Sequence, residues 1–384
     1  MMEYTKIKDI NEYVSQSVNP MKTPDQIFEM YSVPIYETGH PEYLRGDEIA
    51  SNKVVVQKND VLLCKINPRI NRVWVVADES ENMNIASSEW IVIRNSEYNP
   101  EYLAWYFRTP RFQKLMISEV TGIGGSLTRA QPKAVAEYPV PVLKREKQDE
   151  IVKVLNKISG VISNRKRELQ KLDELIKARF VELFVGKKYE IVKAGSIIKE
   201  MRNGVSPSTS GGHFEKVLTL SAITQGKFDD KAWKEGFFTD CPSAEKRITE
   251  DDFYICRGNG NKSLVGMGVY ALENRPDLVF PDTVIAARID TERMVLPYLW
   301  IMWQQPEVRK QLESGARTTN GTYKINQKVI SEIKIICPPI NEQEVFADFI
   351  KQVNKSKVVE LIVKNMSLLL HSGLDILIIR EVMR

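Results

Sequence analysis

The chain has 384 residues, 43% of them hydrophobic and 27% charged. That balance excludes disorder along the whole length, and at roughly 100–200 residues per domain it has room for two or three domains. Fifty-four basic against 50 acidic residues leave a net charge of only +4, so any affinity for a polyanion must come from local patches.

Cys64, Cys241, Cys256 and Cys337 form no C-x-x-C pair. No zinc site or disulfide framework follows from them, and a reducing cytoplasm is the expected location. The opening MMEYTKIKDINEY has no apolar core of a signal peptide. The most apolar stretch, 366–382, is broken by His371, Asp375 and Arg380. It is too short and too interrupted to span a bilayer, so no membrane is expected.

Residues 1–142 are dense in short β-like runs, at 53–57, 61–66, 72–77 and 90–93, punctuated by Gly, Pro, Asn and Asp. One helix is predicted over 100–120. Pro139 and Pro141 then exclude a helix. From 143 to 185 the only Gly or Pro is Gly160, which predicts a long helix. The second half copies this order: short strands run to Ile336, Pro338 and Pro339 stop them, and a helical tail follows from Asn341. The expected organisation is a mixed domain at 1–142, a helix at 143–186, a second mixed domain at 187–340 and a second helix at 341–384.

The copying is residue by residue in places. The run 59–67 (NDVLLCKIN) matches 251–259 (DDFYICRGN) at an offset of 192, with Asp, Cys, a basic residue and Asn keeping their places. Tyr102, Leu103 and Pro110 fall on Tyr298, Leu299 and Pro306 at an offset of 196, as do Gly125 and Gln131 on Gly321 and Gln327. Glu137 and Gln148 fall on Glu332 and Gln343 at 195. Leu172, Leu175, Phe180 and Leu183 fall on Met366, Leu369, Leu374 and Leu377 at 194. Four colinear blocks at nearly one offset indicate an internal duplication into two domains, not a solenoid. Charge divides evenly too: residues 1–192 carry 28 basic and 26 acidic side chains, and the remainder 26 and 24.

The two long helices carry a heptad stripe. Ile151, Leu155, Ile158, Ile162, Leu169, Leu172, Ile176 and Leu183 keep a 4-3 spacing interrupted by Arg165 and Arg179. Val358, Ile362, Leu369 and Ile376 do the same in the second copy, with Asn365 and Ser372 as polar breaks. About eight buried aliphatic side chains give a gross drive on the order of 10–20 kcal/mol before entropy is subtracted. Such a stripe needs a partner. The other helix, the helix's own domain and a second chain are the alternatives.

Catalytic chemistry is hard to assemble. His40, His213 and His371 neighbour no useful partner. Gly-Ile-Gly-Gly-Ser at 122–126 lacks the dinucleotide-loop spacing, and Gly-Asn-Gly-Asn-Lys-Ser at 258–263 lacks the glycine directly before lysine of a P-loop. The second stretch reads instead as a hairpin turn. Asp282 with Glu332 makes a poor nuclease pair for want of other acidic ligands. No Asn/Asp-Pro-Pro-aromatic tetrad of an amino-methyltransferase is present. The chain is expected to hold no metal and to methylate nothing itself.

What stands out is a set of basic and amide loop residues, repeated in both halves. The first half has Lys65, Asn67, Arg69 and Arg72, then Arg129 and Lys133. The second has Arg257, Asn259, Asn261 and Lys262, then Arg317, Thr319, Lys324 and Lys328. Arg, Lys and Asn read purine edges in the major groove, and Thr hydroxyls and Gly-loop amides reach phosphates. These residues are the candidate DNA contacts. The alternatives are a solvated loop surface on a DNA-independent coiled-coil scaffold, or an enzyme acting on DNA.

The chain resembles the DNA-specificity (S) subunits of type I restriction–modification systems. The resemblance rests on Gly-Asp-Glu-Ile-Ala-Ser-Asn-Lys at 46–53 running into Asp60-Val61-Leu62-Leu63-Cys64-Lys65-Ile66-Asn67-Pro68-Arg69. It rests also on Val-Lys-Ala-Gly-Ser-Ile-Ile at 192–198 with Asn-Gly-Val-Ser-Pro at 203–207, and on Pro-Pro-Ile-Asn-Glu-Gln at 338–343. The resemblance implies an α+β fold of two tandem target-recognition domains, each followed by a long helix, the helices pairing as an antiparallel coiled coil. It implies a non-catalytic subunit whose domains each read one half of a bipartite, asymmetric site in double-stranded DNA. The helices would set the spacer and dock two methyltransferase subunits, with restriction subunits as further partners. S-adenosylmethionine, ATP and magnesium would sit on those partners, with no cofactor on this chain.

Overall fold

The computed structural model describes residues 3–77, 79–118, 120–121, 128–208, 211–319 and 321–356. They form a mixed α+β structure with ten α-helices. The described residues up to Glu168 and those from Leu169 onward make two compact units.

In the first unit Val61–Cys64 lies between Val73–Val75 and Trp90–Ile93, antiparallel to both. All four of its side chains are buried, which is why it reads as an unbroken apolar run rather than an alternating one. Beside this sheet, Ile27–Tyr31 pairs antiparallel with Glu42–Arg45 and parallel with Met83–Ala86. Lys53–Val55 and then Ser17–Val18 extend the far edge. Tyr4–Lys6 closes on Pro139–Pro141.

The second unit repeats these pairings. Asp252–Cys256 lies between Gly268–Tyr270 and Val284–Ile289, again antiparallel to both. His213–Leu218 pairs antiparallel with Trp233–Phe238 and parallel with Arg275–Val279, which Arg247–Ile248 flanks. Glu190–Lys193 closes on Lys334–Cys337. One departure is Ile198–Asn203, which joins the edge of Val284–Ile289. Its counterpart by chain order, Ser17–Val18, belongs to the other sheet. At Gly268 an added Cβ would meet the Phe253 ring at 2.3 Å and the Trp303 ring at 2.9 Å, so only glycine lets that strand pass under the helices.

The helix predicted over 100–120 is two helices, Pro100–Phe107 and Pro110–Ser118. Pro110 lacks the N–H that would continue the first one and disfavours helical backbone before it. Asn99 caps the first, its side chain accepting from the N–H groups of Glu101 and Tyr102. Leu296–Trp303 and Pro306–Gly315 are the same pair in the second unit, again divided at a proline.

The long helix is Arg145–Phe184. Ile151 and Leu155 join Tyr102, Phe107 and Phe112 in the core of the first unit. Ile176, Phe180 and Phe184 join the core of the second, where both Phe rings pack on Tyr298 and Phe346. The ends of the heptad stripe therefore serve the helix's own units, at about 1.5–3 kcal/mol for each large side chain buried. Between them Ile162 is buried and Ile158 and Leu169 are half-buried; Leu172, and Leu183 at the second end, pack partly against the second core. The described part of the second helix is Ile340–Ser356. Val358, Ile362, Leu369 and Ile376 lie outside the described residues.

Candidate nucleic-acid interface

In the second unit the basic segments converge on one small sheet. Gly258–Asn259 pairs with Thr322–Lys324, which pairs in turn with Arg317–Thr319. Gly321, at φ 74°, makes the turn between the last two, a conformation that costs glycine nothing. Lys324 stands opposite both Gly258 and Arg317 in register, and Thr319 opposite Thr322. The N–H of Ile325 donates to the Arg257 carbonyl at 2.8 Å. Arg317, Lys324, Lys328, Asn261 and Lys262 are exposed.

The hairpin turn expected at 258–263 is not formed there. After the two-residue strand the chain enters a 3-10 turn, Lys262–Leu264. Asn261 caps it, its Oδ1 accepting from the Ser263 N–H at 3.0 Å and the Ser263 hydroxyl at 2.9 Å. Asn259 Oδ1 accepts the N–H of Asn261 at 2.9 Å. The cap outcompetes a turn centred on Asn259-Gly260 because residues 258–259 are held by Thr322–Lys324 instead.

The first unit builds the same junction. Ile66 bridges to Arg129. The Ala130 N–H donates to the Lys65 carbonyl at 2.9 Å, the counterpart of the Ile325–Arg257 bond. Asn67, at φ 46°, donates its N–H to the Thr128 carbonyl at 2.8 Å. In both units a buried cysteine points its thiol at the carbonyl two residues on, Cys64 at Ile66 and Cys256 at Gly258. Burial raises the Cys64 thiol above its ordinary pKa and pushes Cys256 up to about 11, so neither is a nucleophile at neutral pH.

Not every candidate is available. Arg129 directs Nε and Nη2 at the two carboxylate oxygens of Glu89, each at 3.2 Å, and this pairing raises its pKa further. Arg257 spends Nη1 on the Asp282 carbonyl at 3.1 Å. Arg69 and Lys133 are exposed, and Lys65 and Arg72 are half-buried. The glycine-rich segment 122–127 lies outside the described residues, as does the Thr319 side chain.

Glu332 pairs with Lys193 at 2.6 Å instead of meeting Asp282. Among the described residues no group of three or more His, Cys, Asp or Glu side chains could hold a metal ion. All four thiols are free of disulfides. No helix among the described residues is long and apolar enough to cross a membrane.

Residues that sequence reasoning missed are the ones behind the loops. Glu89 fastens Arg129. Gln113, on Pro110–Ser118, donates to the Arg69 carbonyl at 2.8 Å. Arg309, on Pro306–Gly315, donates to the carbonyls of Ser263 and Val265 at 2.8 and 3.0 Å. Gln113 and Arg309 stand 196 residues apart, the offset of their helices. That offset was the available signal, but the two side chains differ.

No family model matches the chain. The type I restriction enzyme StySPI specificity subunit of Salmonella potsdam is 22% identical over 284 residues, covering 67% of this chain and 58% of that protein. The match thus spans less than two thirds of the relative's length. A solved chain from a study of complex assembly and conformational transition of the type I R-M system superposes with a TM-score of 0.55 at 16% identity, covering 97% of this chain and 96% of the other. The type I restriction-modification system S subunit from M. genitalium gives 0.53 at 11% identity, covering 97% and 95%. In sequence the chain is similar to a type I restriction enzyme specificity subunit, and it shares its fold with a solved type I S subunit and with a chain of a solved type I R-M system.

Proposed function

We propose that this chain is the non-catalytic DNA-specificity subunit of a type I restriction–modification complex, a cytoplasmic protein whose two units each read one half of a bipartite, asymmetric site in double-stranded DNA. The observation that carries this reading is the repeated junction. A basic strand end and a basic returning segment meet through the same hydrogen bond in both units, yet present different side chains. Two copies of one scaffold with unlike loops suit a target whose halves differ. Phosphate contacts from the exposed lysines fix register, while Asn and Arg ends specify bases. The long helices, as spacer and docking surface, would recruit two methyltransferase subunits, with restriction subunits joining them. Adenine methylation with S-adenosylmethionine, and cleavage with ATP and magnesium, belong to those partners.

Arg317→Ala with Lys324→Ala tests the reading in the assembled complex. Methylation mapping on genomic DNA is expected to show relaxation or weakening at only one half-site. Losing a base contact there costs about 1–3 kcal/mol, or about 5–150-fold in discrimination. Equal loss at both half-sites, or an unchanged motif, would count against it.

The spacer role has its own test. One helical turn is about 5.4 Å, or about 1.6 base pairs at 3.4 Å each. A four-residue insertion in register in both long helices is expected to lengthen the unread gap and leave both half-sites as they were. An unchanged gap in the methylated motif would overturn the spacer assignment.

A further inference from the structure

The loops that carry the candidate base contacts have little regular structure of their own, and in both units the helix pair holds them from behind. In the first unit three side chains tie the segment 69–73 to the helices. Gln113 Nε2 donates to the Arg69 carbonyl at 2.8 Å, Arg108 Nη2 to the Val73 carbonyl at 2.7 Å, and Asn71 Nδ2 to the Phe107 carbonyl at 3.2 Å. In the second unit the segment 263–266 is tied at the same places. Arg309 Nη2 bridges the Ser263 and Val265 carbonyls, and the Trp303 indole donates to the Gly266 carbonyl at 2.8 Å. Trp303 falls on Phe107, and Arg309 on Gln113, at the offset of 196.

Arg309 acts on the turn that presents Asn261 and Lys262. Asn261 caps that turn through Ser263, and the carbonyls Arg309 holds belong to Ser263 and Val265. The side chain is 15% exposed, with Glu313 at 3.5 Å. Its Nη1 is buried with no partner among the described residues.

We infer that Gln113 and Arg309 are positioning residues of the two readers: each fixes the backbone of one base-contacting loop from behind, so that discrimination at one half-site depends on it while phosphate contact does not. This rests on the DNA-reading function proposed above. A loop displaced by about 1 Å loses aligned base contacts while its charges remain near the duplex.

The test uses the full chain assembled with its methyltransferase partners. Arg309→Ala is expected to lower discrimination against single mismatches in the second unit's half-site by about tenfold. The other half-site, the thermal midpoint to within a few degrees, and the slope of log affinity against log salt should stay as in the parent. Arg309→Gln installs the first unit's residue and keeps one carbonyl bond without the charge. It is expected to recover part of the discrimination, and it keeps the test alive if the alanine variant folds poorly. Asn261→Ala with Lys262→Ala, the two exposed side chains that this turn presents, serves as the loop control and should relax the same half-site. If that control relaxes the half-site and both Arg309 variants leave it intact, the positioning role is overturned and the reading function stands. A salt slope reduced by about one in both Arg309 variants would mean that Arg309 touches a phosphate, which also overturns it. If neither the loop control nor Arg317→Ala with Lys324→Ala alters any half-site, the reading function itself fails and takes the inference with it.

Discussion

Asp252→Ala is expected to destabilise the second unit by about 3–5 kcal/mol, the range for stripping one partner from a buried ion pair. Asp252 is fully buried on the strand Asp252–Cys256. It receives Arg202 Nη2 at 2.5 Å, Arg288 Nε at 2.7 Å and the Thr249 hydroxyl at 2.8 Å. This bonding holds the Arg288 guanidinium above its ordinary pKa. Arg202 is only 10% exposed and its other acidic neighbour, Glu200, is 3.9 Å away and mostly in solvent, so without the carboxylate its charge is left nearly buried and poorly paired. The equivalent residue, Asp60, faces the one guanidinium of Arg94 through two bonds of 2.7 Å. Arg94 is 28% exposed and can swing outward, so Asp60→Ala should cost less. Chemical denaturation with hydrogen exchange resolved to each unit measures both. A loss under about 1 kcal/mol for Asp252→Ala, or a larger loss for Asp60→Ala, would contradict this account.

That pair of aspartates shows what the sequence made legible. The match of 59–67 to 251–259 placed Asp60 on Asp252 and Cys64 on Cys256, and the structure gives each pair one local role, an anchored carboxylate at the start of the central strand and a thiol folded back at its end. The runs at 61–66 and 90–93 were visible because their strands are almost wholly apolar. Ile27–Tyr31 was not, because it carries Glu29 at a fully buried position. That carboxylate accepts from the Tyr31 hydroxyl, the Glu79 N–H and the Ser80 hydroxyl at 2.7–3.0 Å. Long-range bonds of this kind leave no periodic trace. The heptad stripe told which helix face is buried, but not that Ile151 and Ile176 would be buried in different units. At the candidate interface the loop residues were legible as repeated basic clusters. Gln113 and Arg309 were not, because each works through a backbone carbonyl, which any donor of the right reach can bind.

Gln343→Ala is expected to cost the second unit at least about 3 kcal/mol by leaving three backbone groups without the partner they now share, at about 1 kcal/mol or more for each buried polar group left unmet. Gln343 sits near the start of Ile340–Ser356 and is fully buried. Its Oε1 accepts the Val295 N–H at 3.0 Å, and its Nε2 donates to the Pro338 and Arg293 carbonyls at 2.8 and 3.0 Å. One amide thus ties the long helix, the proline junction before it and the start of Leu296–Trp303 into a single corner. Gln148 builds the same corner in the first unit. Its Oε1 accepts the Asn99 N–H at 2.7 Å, and its Nε2 donates to the Leu143 carbonyl at 2.8 Å. With two such bonds against three, and with Asn99 also held by Asp149 at 2.6 Å, Gln148→Ala should be the milder change. Glutamate at either position would present a second oxygen to carbonyl oxygens and should be worse than alanine, a ranking that cavity formation alone does not produce. Hydrogen exchange at the Val295 amide gives the direct reading: it should speed up in Gln343→Ala well before the strands of the same unit open. An amide as protected as in the parent chain would show that the corner is held by packing of Phe346 and Tyr298 and not by this side chain.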